Sequence, residues 1–134
     1  MRAAEGITYW RKPSKADKFA KEHQLHCTYG RAQKLLNVYL KSKLVCAGWQ
    51  AHRSVVALHP PIDRALLAAM DHFTRTEREK IPDARGALEA AQQLGNSWTT
   101  FDKITYDAYI KVVKLIQGDR PLWAVEWLWA PSHE

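Results

Sequence analysis

Ile62, Ala65, Leu66, Ala69, Met70 and Phe73 recur at i, i+3, i+4, i+7, i+8 and i+11, the cleanest helical periodicity in the chain. Pro61 stands just ahead of this stripe and suits the first turn of a helix, where the N–H that proline lacks has no partner to lose. The same reasoning places a helix from Pro82, with Ala84, Leu88, Ala91 and Leu94 as a thin stripe closed by Gly95. A further helix from about Thr105 carries Tyr106, Tyr109, Ile110, Val113 and Ile116 and stops at Gly118. Nearer the N-terminus, Ser14 and Asp17 form an acidic variant of the capping box, and Ala16, Phe19, Ala20 and His23 follow at helical spacing.

The longest helix expected from the pattern is capped by Thr28, runs to about Ala47 and stops at Gly48. Ala32, Leu35, Leu36, Tyr39, Leu40, Cys46 and Ala47 fall within one arc of about 140°, which reads as the core face. Arg31, Lys34, Asn37 and Lys41 cluster on the other side, which reads as a solvent-facing basic face. Lys43 falls inside the apolar arc, where an unpaired charge is costly. A bend or end of the helix near residue 42, or a lysine stem lying along apolar surface, removes that cost. The other readings are a cation held beside a ligand phosphate or catalytic carboxylate, and a buried pair with Glu126, itself isolated among apolar neighbours.

Two stretches resist periodicity. Val55–Leu58 is too short to separate a strand from a buried helical turn. LWAVEWLW (122–129) is apolar on nearly every side and is expected to be buried or docked against a partner. The elements together predict an all-α fold: residues 1–134 as a single small domain of five to six helices, a bundle or an orthogonal array, with room for one minor short strand at 55–58.

Composition supports a folded domain, since 46% hydrophobic and 25% charged residues over 134 positions can bury a core without staples. No apolar run approaches the roughly 18–20 residues of a membrane span, so no membrane partner is expected. MRAAEGITYWRKP at the N-terminus has no continuous apolar stretch, and a cytoplasmic location is expected. Cys27 and Cys46 read as two semi-buried thiols rather than a disulfide framework. His23, His26, Cys27, Cys46 and His52 match no common zinc spacing, so no metal or other cofactor is expected.

Charge directs the functional reading. Twenty Lys and Arg against fourteen Asp and Glu give +6, with a pI near 9.4. Residues 1–53 hold eleven of the cations against Glu5, Asp17 and Glu22, a net +8 that leaves −2 for the remainder. A polarised basic surface attracts anionic partners. The first expectation is therefore nucleic-acid binding by Arg31, Lys34, Asn37, Lys41 and Lys43, with cations toward phosphates and the Asn amide toward a base edge or the backbone. Tyr29, Trp10 and Trp49 would supply stacking surfaces. The alternative is a protein-interaction subunit, docking on a partner or on a second copy through Trp123, Trp127 and Trp129.

Whether the chain is an enzyme is left undecided by the sequence, and the candidate catalytic residues are His59, Arg53 and Asp63. His59 precedes a helix whose first turn holds Asp63 and Arg64; an anion there would meet backbone N–H groups and Arg64, with His59 as acid or base. Asp63 has a simpler explanation as a helix cap. Arg53-Ser-Val-Val-Ala-Leu-His59 separates Arg from His by five residues, and this spacing resembles the catalytic signature of HEPN-type ribonucleases. The resemblance implies a helical domain in which Arg53 and His59 act on an RNA phosphate. It covers seven residues, and Pro60-Pro61 stand where that family continues a helix.

Overall fold

The computed structural model describes residues 27–128. Helix α1 spans Tyr29–Leu40 and continues into a π-wound stretch, Lys41–Trp49; α2 spans Arg53–Val56, α3 Arg64–Thr76, α4 Pro82–Leu94 and α5 Lys103–Gln117. Two 3-10 segments complete it, Trp98–Thr100 before α5 and Leu122–Leu128 after it. The fold is all-α, and no strand occurs among the described residues. The run Val55–Leu58 enters the short helix α2 and its exit instead of a strand, with Val55 buried. The helix expected from Ser14, together with Trp10, His23, His26 and Trp129, lies outside the described residues.

Local chemistry sets the boundaries. Asp63 accepts the Leu66 N–H at 3.0 Å and Asp102 accepts the Thr105 N–H at 2.8 Å, so each carboxylate caps a helix at its positive end. That cap starts α3 at Arg64, leaving Pro60, Pro61 and Ile62 as a buried lead-in rather than a first turn. Pro82 occupies the first turn of α4, as its sequence position implies. Gly48 (φ 93°) and Gly118 (φ 57°) take up left-handed backbone at the ends of the π-wound stretch and of α5.

The core lies among α3, α4, α5 and the C-terminal 3-10 segment. Leu66 and Met70 from α3, Leu88 and Ala91 from α4, Tyr109, Val112, Val113 and Ile116 from α5, and Val125 are buried together. Phe101 stacks on Tyr109 at 4.8 Å between centroids, and the Tyr109 hydroxyl donates to the Gly95 carbonyl at 2.7 Å. Arg85 of α4 reaches Asp71 of α3 at 2.9 Å and holds that carboxyl below the usual carboxylate range. None of the buried apolar side chains in this core comes from Tyr29–Trp49.

Candidate functional site

Helix α1 docks by its polar side. Thr28 caps it by accepting the Arg31 N–H at 3.3 Å, while its hydroxyl donates to the Thr99 carbonyl. Gly30 donates its N–H to the Phe101 carbonyl at 3.0 Å, and the backbones approach so closely that a Cβ on Gly30 would lie 1.7 Å from the Trp98 carbonyl oxygen. This contact fixes the rotation of the helix. Positions i+3 and i+7 from Gly30 then face inward, and they are Gln33 and Asn37, only 5% and 8% exposed.

These two amides clamp the chain that leads into α3. Gln33 Nε2 donates to the Gly30 and Ile62 carbonyls, both at 2.8 Å, and its Oε1 accepts the Ile62 N–H at 3.1 Å. Asn37 Nδ2 shares its protons among Gln33 Oε1 (3.1 Å), the Pro60 carbonyl (3.3 Å) and the Tyr106 hydroxyl (3.1 Å). The Pro60 carbonyl and both backbone polar groups of Ile62 are thereby satisfied by side chains. Lys34 pairs with Asp63 at 3.2 Å and sits 4.9 Å from the Trp98 ring centre, while Lys41 pairs with Glu126.

The consequence reverses the expected orientation. Leu35 (72% exposed), Tyr39 (58%), Leu36 (57%) and Val38 (44%) face solvent, and only Leu40 at the edge of the apolar arc is partly covered. Cys46 and Trp49 are exposed as well. The physical reason is that an apolar stripe gives the axis of a helix's polarity but not which side another surface will take. Here a glycine contact and a set of buried hydrogen bonds decide it. The expected basic outer face is therefore an inner face in three of its members: Asn37 is buried in the clamp, and Lys34 and Lys41 are ion-paired to the body of the domain. Arg31 and Lys43 are exposed and have no carboxylate partner among the described residues. The arc that carries Lys43 is itself exposed, so its ammonium sits in solvent, 5.9 Å from the Tyr39 ring centre, at no desolvation cost. Glu126 is matched by Lys41, not by Lys43.

Two grooves flank the exposed ridge. One, of about 430 Å³, lies between α1 and α5 and is lined by Tyr29, Leu36, Asn37, His59, Lys103 and Tyr106, among others. His59 Nδ1 lies 2.8 Å from the Tyr106 hydroxyl. That hydroxyl accepts from Asn37, so donating its own proton to Nδ1 satisfies all three groups and leaves the remaining imidazole proton on Nε2. Burial, reinforced by Lys114 and opposed by Asp107, pushes His59 below 6.5, and burial raises Tyr106 to about 12. The ring is thus neutral at pH 7, a hydrogen-bond donor rather than a cation. The second groove, of about 440 Å³, is lined by Leu35, Val38 and Trp98 together with Arg31 and Lys34.

The remaining candidates have other duties. Arg53 is exposed at the start of α2, and Asp63 is committed to the cap of α3 and to Lys34. The spacing that resembles the HEPN signature thus ends at a non-helical His59 whose partner is Tyr106, followed by two buried prolines. In the tryptophan-rich segment, Trp127 meets Phe73 edge-on at 5.3 Å, donates to Gln117 Oε1 at 2.8 Å and lies under the Arg120 guanidinium, yet remains 41% exposed. Trp123 is partly buried, and its Nε1 has no acceptor among the described residues. Cys27 and Cys46 are free and exposed, and no group of three metal-ligating side chains occurs among the described residues.

Sequence reasoning missed Gln33, Tyr106 and Trp98 as site residues. The signal for the first was present: glycine and two amides at 30, 33 and 37 share one helical face, and such a set is suited to docking on backbone. Compared with family models, curated proteins and solved structures, the chain matches none.

Proposed function

We propose that the protein is a protein-docking module whose working surface is the outer face of α1. The observation that carries this reading is the exposed stripe of Leu35, Leu36, Val38 and Tyr39 on a helix that spends its polar residues inward. Fully burying one such side chain is worth roughly 1.5–3 kcal/mol, and the fold forgoes most of that for four of them. A contiguous stripe of this kind, flanked by grooves, is suited to burial against another chain. The tryptophan-rich segment 122–128 supports the domain from behind, and its Glu126 ties α1 in place through Lys41.

The test is a photo-reactive phenylalanine analogue placed at Leu35 and, as a control away from α1, at Lys111 of α5. A protein crosslinked from Leu35 but not from Lys111 is then purified and titrated against the unmodified chain and the Leu35→Glu/Tyr39→Glu variant. The docking reading expects the purified pair to bind and the variant to bind at least about tenfold more weakly, with an unchanged urea midpoint. Equal binding by the variant refutes it. Nucleic-acid binding, which would now lean on Arg31 and Lys43, is the competing outcome. It would appear as oligonucleotide affinity that falls steeply with salt and ignores the Leu35→Glu/Tyr39→Glu change.

A further inference from the structure

We infer that the occupant of the α1 face is an acidic amphipathic helix of a partner protein, seated along the Leu35–Tyr39 ridge with carboxylates toward Arg31 and Lys43. The inference rests on the docking reading and names the chemistry of its partner.

Charge selects the occupant. No Asp or Glu occurs between Glu22 and Asp63, so α1 and its π-wound continuation present cations and no carboxylate of their own. Lys34 and Lys41 already have partners, whereas Arg31 and Lys43 do not among the described residues. These two lie twelve positions apart, about three helical turns, and bracket the apolar stripe. A second copy docking through the same face would set cation against cation and supply no carboxylate from that helix. Residues 1–26 of the chain carry six cations against Glu5, Asp17 and Glu22, and so are also of the wrong sign. Like charges brought together across an interface are penalised, and opposite charges at its rim set partner choice.

Shape selects a helix. The ridge of Leu35 and Tyr39 stands between two open grooves, each with an apolar wall: Leu36 and Tyr29 on one flank, Leu35, Val38 and Trp98 on the other. Side chains spaced at i, i+3, i+4 and i+7 on a partner helix would straddle such a ridge. Acidic residues flanking that apolar stripe, about three turns apart, would meet Arg31 at one end and Lys43 at the other.

The test uses three fluorescein-labelled peptides of about 20 residues, long enough to form a helix. The first has leucines at i, i+3, i+4 and i+7 flanked by glutamates; the second replaces every glutamate by lysine; the third replaces the leucines by serine. Binding is read by anisotropy at about 50 and about 300 mM salt, where surface pairs are screened to different extents. The expected result is saturable binding of the first peptide alone, weakened by added salt. Leu35→Ser should abolish it, and Arg31→Glu/Lys43→Glu should weaken it at least about tenfold while admitting the lysine peptide. All the altered side chains are exposed, so unchanged circular dichroism and urea midpoints are expected and confirm that the variants fold. Equal binding of the first two peptides would overturn the acidic class while leaving docking intact. Binding of none, with a crosslinked partner in hand from Leu35, would overturn this inference but not the docking reading; binding of none without such a partner would remove both.

Discussion

Replacing Gln33 by leucine should cost the domain about 2–4 kcal/mol. The figure follows from the clamp. Gln33 contributes one donor bond to Ile62 C=O and one acceptor bond from Ile62 N–H, both in a buried setting. Leucine of similar size fills the space but satisfies neither, and each buried backbone group left unpaired costs about 1–3 kcal/mol. Asn37 loses one of its three acceptors but keeps the Pro60 carbonyl and the Tyr106 hydroxyl, so its share is small. The added apolar burial of leucine offsets part of the loss, on the order of 1 kcal/mol. Urea unfolding followed by circular dichroism, with an unchanged slope, would read the difference as a lower midpoint. The paired control is Leu35→Gln, which should lie within about 0.5 kcal/mol of the parent because the side chain is in solvent. Were α1 docked by its apolar face, the two results would exchange: Gln33→Leu would be near neutral and Leu35→Gln would cost several kcal/mol. That exchange would refute the inward-amide arrangement.

Three further outcomes are expected. Gly30→Ala should destabilise by at least about 2 kcal/mol, because its Cβ would meet a backbone carbonyl at 1.7 Å that cannot swing aside; a calorimetric Tm within a degree of the parent would contradict this. Gly86→Ala should stabilise by about 0.5–1 kcal/mol, since the new methyl group meets open space in the interior of α4, and an unchanged or lower Tm would count against it. His59 has a folded pKa below its ordinary 6.5, so the stability it contributes is complete above pH 6.5 and is lost as pH falls through the lowered folded value. The urea midpoint of the parent should therefore fall between pH 7 and pH 5 more than that of His59→Gln; parallel profiles would show that His59 is not buried as described.

The parts of the fold that were legible in the sequence are those where an apolar stripe meets other apolar stripes. Leu66 and Met70, Leu88 and Ala91, and Tyr109, Val113 and Ile116 all mark core faces from their spacing alone, and Pro82, Gly48 and Gly118 mark boundaries by backbone constraint. The start of α3 moved from Pro61 to Arg64 because the Asp63 cap outweighs the preference of proline for a first turn. Helix α1 was legible as a helix and misread as to its inner side. Periodicity registers the hydrophobicity of a face, and it is blind to a glycine that lets two backbones touch and to amides whose partners lie twenty-nine positions away. Lys43 looked anomalous for the same reason, since the arc it shares with Leu36 and Tyr39 faces solvent and not the core. His59 stands out in the sequence, but its partner, Tyr106, lies in α5 and no local spacing announces it.

The most direct test of the outward apolar face is solvent paramagnetic relaxation of methyl groups in the free protein by NMR. A soluble gadolinium chelate should broaden the methyl signals of Leu35, Leu36 and Val38 strongly, as it would on an open surface, and leave those of Leu66 and Leu88 in the core sharp. If the methyls of Leu35 and Leu36 were instead as protected as that of Leu66, the face would already be covered by the chain itself and no partner would be left to dock there.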